Sequence, residues 1–136
     1  MDARSLARKW ARRSQMVDRE FRKTSNGLAI AAIRYTREKL TQEIYAFPVP
    51  TNPKTGKKLW KRTGNLRRGE RAEVPDPYTV RVINDVSYAV PRHEAGKTGH
   101  RPVRYPSHWR DDLARDFRSV LTDAYRLTMD AIRRAR

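Results

Sequence analysis

Three prolines within six residues set the outline of this chain. Pro48, Pro50 and Pro53 fall in the segment Phe47-Pro48-Val49-Pro50-Thr51-Asn52-Pro53. Proline has no backbone N–H, fixes φ and drives the preceding residue out of the helical region, so no helix crosses this stretch. Upstream of it, Val17, Phe21, Leu28, Ala32 and Tyr35 recur at three- and four-residue spacing, and Ile33, Leu40 and Ile44 extend the stripe. That is the period of an amphipathic helix, and it predicts one long helix from about Gln15 to Glu43. Ser25-Asn26-Gly27 is its weak point, because an interior glycine costs about 1 kcal/mol relative to alanine. The stripe keeps its phase across that point. A separate short basic helix is expected over residues 3–12, with Leu6, Ala7 and Trp10 on one side and Ser14 capping the helix that follows.

Downstream of the prolines, residues 46–62 read as a long exposed loop, within an extended basic arm over residues 46–71. Between Lys54 and Arg71 stand eight Lys or Arg and one acid, Glu70. Trp60 is expected as a buried aromatic that anchors this arm, the alternative being an exposed ring that stacks on a base or packs into a neighbouring subunit. Strands are predicted at Arg71–Val74 and Tyr78–Asn84, on either side of the turn-forming Pro75-Asp76-Pro77. A third is predicted at Val86–Val90, with Val86, Tyr88 and Val90 on one face. Residues 91–107 read as irregular. A C-terminal helix starts near Ser107 or His108 and carries the stripe Trp109, Leu113, Phe117, Val120, Leu121, Ala124 and Leu127. His108 is its polar start, and Asp111 pairs with Arg115 one turn on. The expected architecture is a single α+β domain over residues 1–136: a small antiparallel sheet of three to four strands packed on a long N-terminal helix and a C-terminal helix.

Charge narrows the partners. The chain has 31 Lys plus Arg against 15 Asp plus Glu, a formal net charge of +16. Such an excess speaks to partners and solubility rather than to fold. It suits nucleic acid, an acidic protein surface or an anionic membrane. Cysteine is absent, which excludes a disulfide framework and thiolate metal sites. No apolar run approaches the roughly 18 residues of a membrane span. The start Met1-Asp2-Ala3-Arg4-Ser5-Leu6 has no apolar signal core, so secretion through a signal peptide is not expected.

Catalytic patterns are weak. Gly96-Lys97-Thr98 lacks the earlier glycine of a phosphate-binding loop, since position 91 is proline. His93, His100 and His108 lie in a loop without metal-ligand spacing. Ser87, Ser107 and Ser119 lack a nucleophile-elbow context. A nuclease would need several convergent acids to hold a divalent ion, and only Glu94 and Asp85 fall near the expected sheet. No catalytic residue, cofactor or metal ligand is assigned. The basic stretch offers a different chemistry. Lys54, Lys57, Lys58, Lys61, Arg62, Arg67 and Arg68 are candidates to face a partner or DNA, and phosphate contacts from them would bind any sequence with steep salt dependence. A nucleic-acid-binding module of phage or mobile-element origin is therefore the alternative reading.

One connected pattern remains. Arg62-Thr63-Gly64-Asn65-Leu66-Arg67 is followed by Tyr88-Ala89, then Glu94-Ala95-Gly96, Arg101-Pro102 and a helix after Ser107. In order and spacing this resembles the tail-completion and head–tail joining proteins of long-tailed phages, the gene-product-ten-like neck family. The resemblance spans about Val17 to Phe117, and the 46–62 arm is longer than the family's. It implies that Thr63, Gly64, Leu66, Tyr88, Ala89, Glu94, Gly96 and Pro102 shape a scaffold. Gly64 would take a conformation closed to other residues so that Thr63 caps a short turn, with Leu66 tucked beneath. Glu94 would bind loop amides and Gly96 would turn the chain. The resemblance further implies a virion protein without catalytic activity, assembled in the host cytoplasm. It would form a homo-oligomeric ring of six copies between the connector or head-closure protein and the tail tube or its terminator. DNA would pass through the ring, and no membrane would be involved. A heterologous interface must close such a ring, and the sheet edge and the 46–71 arm are the candidates.

Overall fold

The computed structural model describes residues 2–97, 99, 103–105 and 107–135. Helix α1 runs unbroken over Ala3–Leu40, about 57 Å at 1.5 Å per residue. The short basic helix expected over residues 3–12 is its first part, and Ser14 caps nothing. The reason lies in composition: the alanines, arginines, Lys9, Leu6, Gln15 and Met16 are good helix formers, and no breaker separates them from Val17. The cap is Asp2, whose Oδ1 accepts the Ser5 N–H at 2.7 Å. The weak point at Ser25-Asn26-Gly27 stays helical. Ser25 is buried there; its hydroxyl donates to the Pro77 carbonyl and bonds the Tyr125 hydroxyl, both at 2.6 Å. The helix leaves its regular pitch only at Thr41–Tyr45, a single π-helical turn before the prolines.

After the arm comes one short turn of helix, α2 (Asn65–Arg68), then strands β1 (Glu70–Asp76) and β2 (Thr79–Asn84). These pair antiparallel, from Glu70 opposite Asn84 to Asp76 opposite Thr79. The expected third strand, Val86–Val90, is not one. The chain there bends into helix α3, Ala89–Glu94, and among the described residues the sheet has two strands. The local cause is Asn84, whose Oδ1 accepts the Val86 N–H at 3.1 Å and turns the backbone away from the sheet. Pro91 then sits in the first turn of α3, where its missing N–H costs nothing. Just past the expected strand, it would have stopped the ladder from continuing.

Helix α4, Trp109–Arg134, starts where the sequence predicts. It lies antiparallel to α1, tied by Thr24 to Thr128, Ser25 to Tyr125 and Tyr35 to Asp116. Lys39 Nζ stands 3.6 Å from Asp112 near one end. The expected Asp111–Arg115 pair does not form; Arg115 reaches Asp112 and Asp116 instead. The sheet packs along α1, and Phe21 stacks between Tyr78 and Tyr125 with centroids 5.1 and 5.7 Å away. The main core gathers at the C-terminal end of α1, from Leu40, Ile44, Leu66, Ala89 and Trp109, flanked by Tyr45, Val86 and Tyr105. At the other end Arg4, Arg8, Lys9 and Arg12 are exposed, with Leu6 and Trp10 beside them. None of the helices is long and apolar enough to cross a membrane, among the described residues.

Candidate functional site

The site is built around the turn that joins the arm to β1. Gly64 holds φ +78°, a left-handed conformation, at the start of α2. Side chains other than glycine are strained there. Thr63 Oγ1 accepts the Asn65 N–H at a long 3.4 Å, and Leu66 is buried beneath the turn. Gly69 follows for a different reason. Its φ is ordinary, but an added Cβ would lie 2.7 Å from Asn84 Oδ1 and 2.8 Å from Val86 Cγ2. That close approach lets the Asn84 amide donate to the Leu66 carbonyl at 2.8 Å and to Glu70 Oε1 at 3.0 Å. Trp109 Nε1 donates to the same Glu70 oxygen at 2.7 Å. One buried carboxylate thus joins β1, the end of β2 and the start of α4.

The seven basic candidates divide. Arg62 and Arg67 lie against the Tyr45 ring, with guanidinium carbons 5.4 and 4.5 Å from its centroid. Arg62 also donates to the Tyr45 and Phe47 carbonyls, and Arg67 to Thr41 Oγ1. Arg68 donates to the Thr63 carbonyl at 2.6 Å and to Asn65 Oδ1 at 2.8 Å. These three arginines brace the fold. Lys54, Lys57, Lys58 and Lys61 are exposed on the arm. The arm is itself a small hairpin. Thr51 pairs with Lys58, the Asn52 N–H donates to the Lys57 carbonyl at 2.7 Å, and the Leu59 N–H donates to the Pro50 carbonyl at 2.9 Å. Trp60, expected buried, is 43% exposed. The hairpin closes on backbone bonds at its own base and does not need an aromatic anchor there. Phe47 and Tyr105 fasten the arm's first strand instead, stacked at 4.8 Å.

A hollow of about 440 Å³ opens beside this turn. Thr63, Gly64 and Leu66 line it with Tyr88, as do Tyr45, Trp60, Arg62, Arg92 and Tyr105. The structure thus brings together two pieces of the sequence pattern, Arg62–Leu66 and Tyr88, which are more than twenty residues apart. Ala89 is buried in the core alongside. Arg92 is the residue that the sequence reading missed. It follows Tyr88 by one helical turn, a relation visible only once residues 89–94 are read as helix. It donates to the Tyr105 carbonyl at 2.5 Å. Burial, and then the nearby Arg62 charge, hold its guanidinium below the usual arginine range.

Glu94 and Gly96 belong to a second cluster at the far end of α3. Among the described residues Glu94 binds no loop amide with its side chain. Its Oε1 accepts from His93 Nδ1 at 2.7 Å, and Lys97 Nζ lies 3.2 Å from Oε2. Both partners hold its carboxyl below the ordinary range, His93 first. Lys97 also binds Asp111, lowering that carboxyl in turn. The Asp111 N–H donates to His93 Nε2 at 3.3 Å, which assigns the ring proton to Nδ1. Gly96 turns the chain with φ +81°. His108 is the N-cap residue of α4, but its side chain makes no capping bond; it bonds the Ala95 carbonyl at 2.9 Å and fastens the exit of α3 to α4. Pro102, Thr98 and His100 lie outside the described residues. Among the described residues no three His, Asp or Glu side chains gather in a way that could hold a metal ion. No known protein family, no curated protein and no solved structure matches the chain.

Proposed function

We propose that this chain is a structural virion protein that forms a ring at the head–tail junction or the head-proximal end of a phage tail, joining tail to connector while DNA passes. The observation that supports this reading most is the use made of the patterned residues. Arg62, Thr63, Gly64, Leu66 and Ala89 hold elements together and present no nucleophile beside a base. What they hold in place is outward-facing. The arm hairpin exposes Leu59 and Trp60 among its lysines. Both long edges of the two-stranded sheet lack a further strand among the described residues. Unpaired edges and exposed apolar groups are what a heterologous, ring-closing interface uses.

Native mass spectrometry of the purified chain, alone and with tail tubes, tests the reading. Assemblies of six times the 16.0 kDa subunit are expected, and the protein should be found in purified particles. A chain that stays monomeric in both conditions and is missing from particles sinks the proposal. A second reading, a basic nucleic-acid-binding module, draws support from one feature. The exposed start of α1 carries Arg4, Arg8, Lys9 and Arg12 clear of the core. It predicts tight, salt-sensitive DNA binding by the monomer.

A further inference from the structure

The hollow beside the Gly64 turn combines cations with aromatic rings. A second hollow of about 340 Å³, lined by Val49, Lys58, Trp60, Lys61 and Arg62, adjoins it. The two share Trp60, Lys61 and Arg62 as common walls and together make a cleft of two neighbouring lobes. Among the described residues four cations line it, Lys58, Lys61, Arg62 and Arg92, and no Asp or Glu does. The chain has 31 Lys plus Arg against 15 Asp plus Glu, and ion pairs such as Arg71–Asp85 at 2.6 Å and Arg115–Asp112 at 3.0 Å lie away from the cleft. In the cleft Arg62 and Arg92 spend only part of their donor capacity, on the carbonyls of Tyr45, Phe47 and Tyr105. A guanidinium carries five N–H donors in a planar fork that matches a carboxylate. Four aromatic side chains, Tyr45, Trp60, Tyr88 and Tyr105, line the same hollow as the two arginines. Trp60 and Tyr88 are 43% and 45% exposed, although rings of this size gain most from cover.

We propose that this cleft binds an extended acidic peptide segment of a partner protein, with Arg62 and Arg92 clamping a carboxylate and Trp60 and Tyr88 covering the neighbouring apolar side chain. Shape selects peptide over duplex DNA. A concave hollow of this size admits a side chain and a stretch of backbone, whereas the phosphates of a duplex lie on a convex surface. Lys58 and Lys61, beside Arg62 in the smaller lobe, suit a peptide bearing more than one acid. The inference concerns the cleft of a single subunit and does not depend on ring formation.

The probe is a fluorescein-labelled octapeptide of alternating glutamate and leucine. Its glutamine counterpart and a duplex of a dozen base pairs serve as comparisons. Fluorescence anisotropy with the full chain should show binding of the glutamate peptide and none of the glutamine peptide. Arg92→Gln should weaken binding roughly tenfold or more, the scale of a lost charged hydrogen bond. Arg81→Gln, an exposed cation on β2, should change it less than about twofold. Tyr88→Ala, at an exposed position, gives a second variant should Arg92→Gln fold poorly, and should weaken binding without altering the peptide's salt dependence. Equal losses from Arg92→Gln and Arg81→Gln would mean non-specific attraction and overturn the proposal. So would Arg92-dependent binding of the duplex that outcompetes the peptide.

Discussion

At the scale of single residues, three glycines of this chain answer to three different physical causes, and alanine substitution separates them. Gly27 lies inside α1 with open space around it. Gly27→Ala should raise stability by about 0.5–1 kcal/mol, the helix-propensity difference alone. Gly64 has φ +78° and lies 3.2 Å from Arg68 Nη1 where a Cβ would stand. Gly64→Ala should lower stability by about 1–2 kcal/mol, the cost of a left-handed conformation for an L-residue. Gly69 has no backbone need for glycine, yet a Cβ there would press on Asn84 and Val86 within the hub that holds Glu70. Gly69→Ala should lower stability by roughly 1–3 kcal/mol through overpacking. Urea denaturation of the three variants beside the parent chain gives the signs directly. A stabilised Gly69→Ala would mean that Asn84 moves away freely and that the Leu66–Asn84–Glu70 network is not a fixed hub. Of these three roles the sequence shows the first two. Gly27 stands inside a helical stripe and Gly64 inside a turn pattern. The third depends on which side chain lies opposite, which only the pairing of Glu70 with Asn84 reveals.

Between elements, the tie of α1 to α4 rests partly on a hydroxyl and a carboxylate. Tyr35 donates to Asp116, and its ring packs edge-on against Phe117 at 5.4 Å. Burial first, and then the Asp116 hydrogen bond and charge, push the Tyr35 phenol from 10.0 up to about 12. The folded state therefore prefers the protonated phenol. The tie contributes fully below the unfolded phenol's value and is lost as pH rises from about 10 to about 12. Absorbance titration of the parent chain against Tyr35→Phe should show one phenol ionising late, and Asp116→Asn should bring it earlier. A Tyr35 that titrates with the other phenols would mean that the pairing is not held in solution. Such long-range ties are also where sequence legibility ends. The apolar stripes on Val17–Ile44 and Trp109–Leu127 gave both long helices because their period is helical, although Val120, Leu121 and Leu127 of the second stripe are exposed and Tyr125 and Thr128 meet α1. The alternation of Val86, Tyr88 and Val90 misled. Five residues cannot separate a strand from a turn leading into a helix, and there the decision fell to a side chain, Asn84, and to Pro91. The cleft was half legible: the Thr63-Gly64-Leu66 turn and Tyr88 stood out, whereas Arg92 and Trp60 acquired meaning only from the bend of α3 and the closure of the arm.

For the whole molecule, the dominant quantity is the net charge of +16 on 136 residues. Part of the positive charge is engaged in bracing at the surface, in Arg37 to the Glu70 carbonyl and in Arg62, Arg67 and Arg68 around the turn. The rest faces outward on the arm and on the start of α1. Two opposite salt dependences follow. In the isolated chain like charges repel, and the compact state holds them closer together than the unfolded one. Raising ionic strength from about 0.01 to 0.15 M shortens the screening length from about 30 to about 8 Å, so the thermal midpoint of the free protein should rise. A complex with an acidic partner or with DNA runs the other way, because screening removes the attraction that forms it. Differential scanning fluorimetry of the free chain and anisotropy of its complex over the same salt series would read both signs. A free chain that loses stability with salt would show that its ion pairs, such as Arg71–Asp85 and Lys97–Asp111, outweigh the repulsion. The surplus arginines would then be a device for folding rather than for contact with partners. If instead the midpoint rises while the complex weakens, the chain is built to be relieved of its own charge by what it binds. A ring subunit between acidic neighbours would gain stability on assembly that it lacks alone.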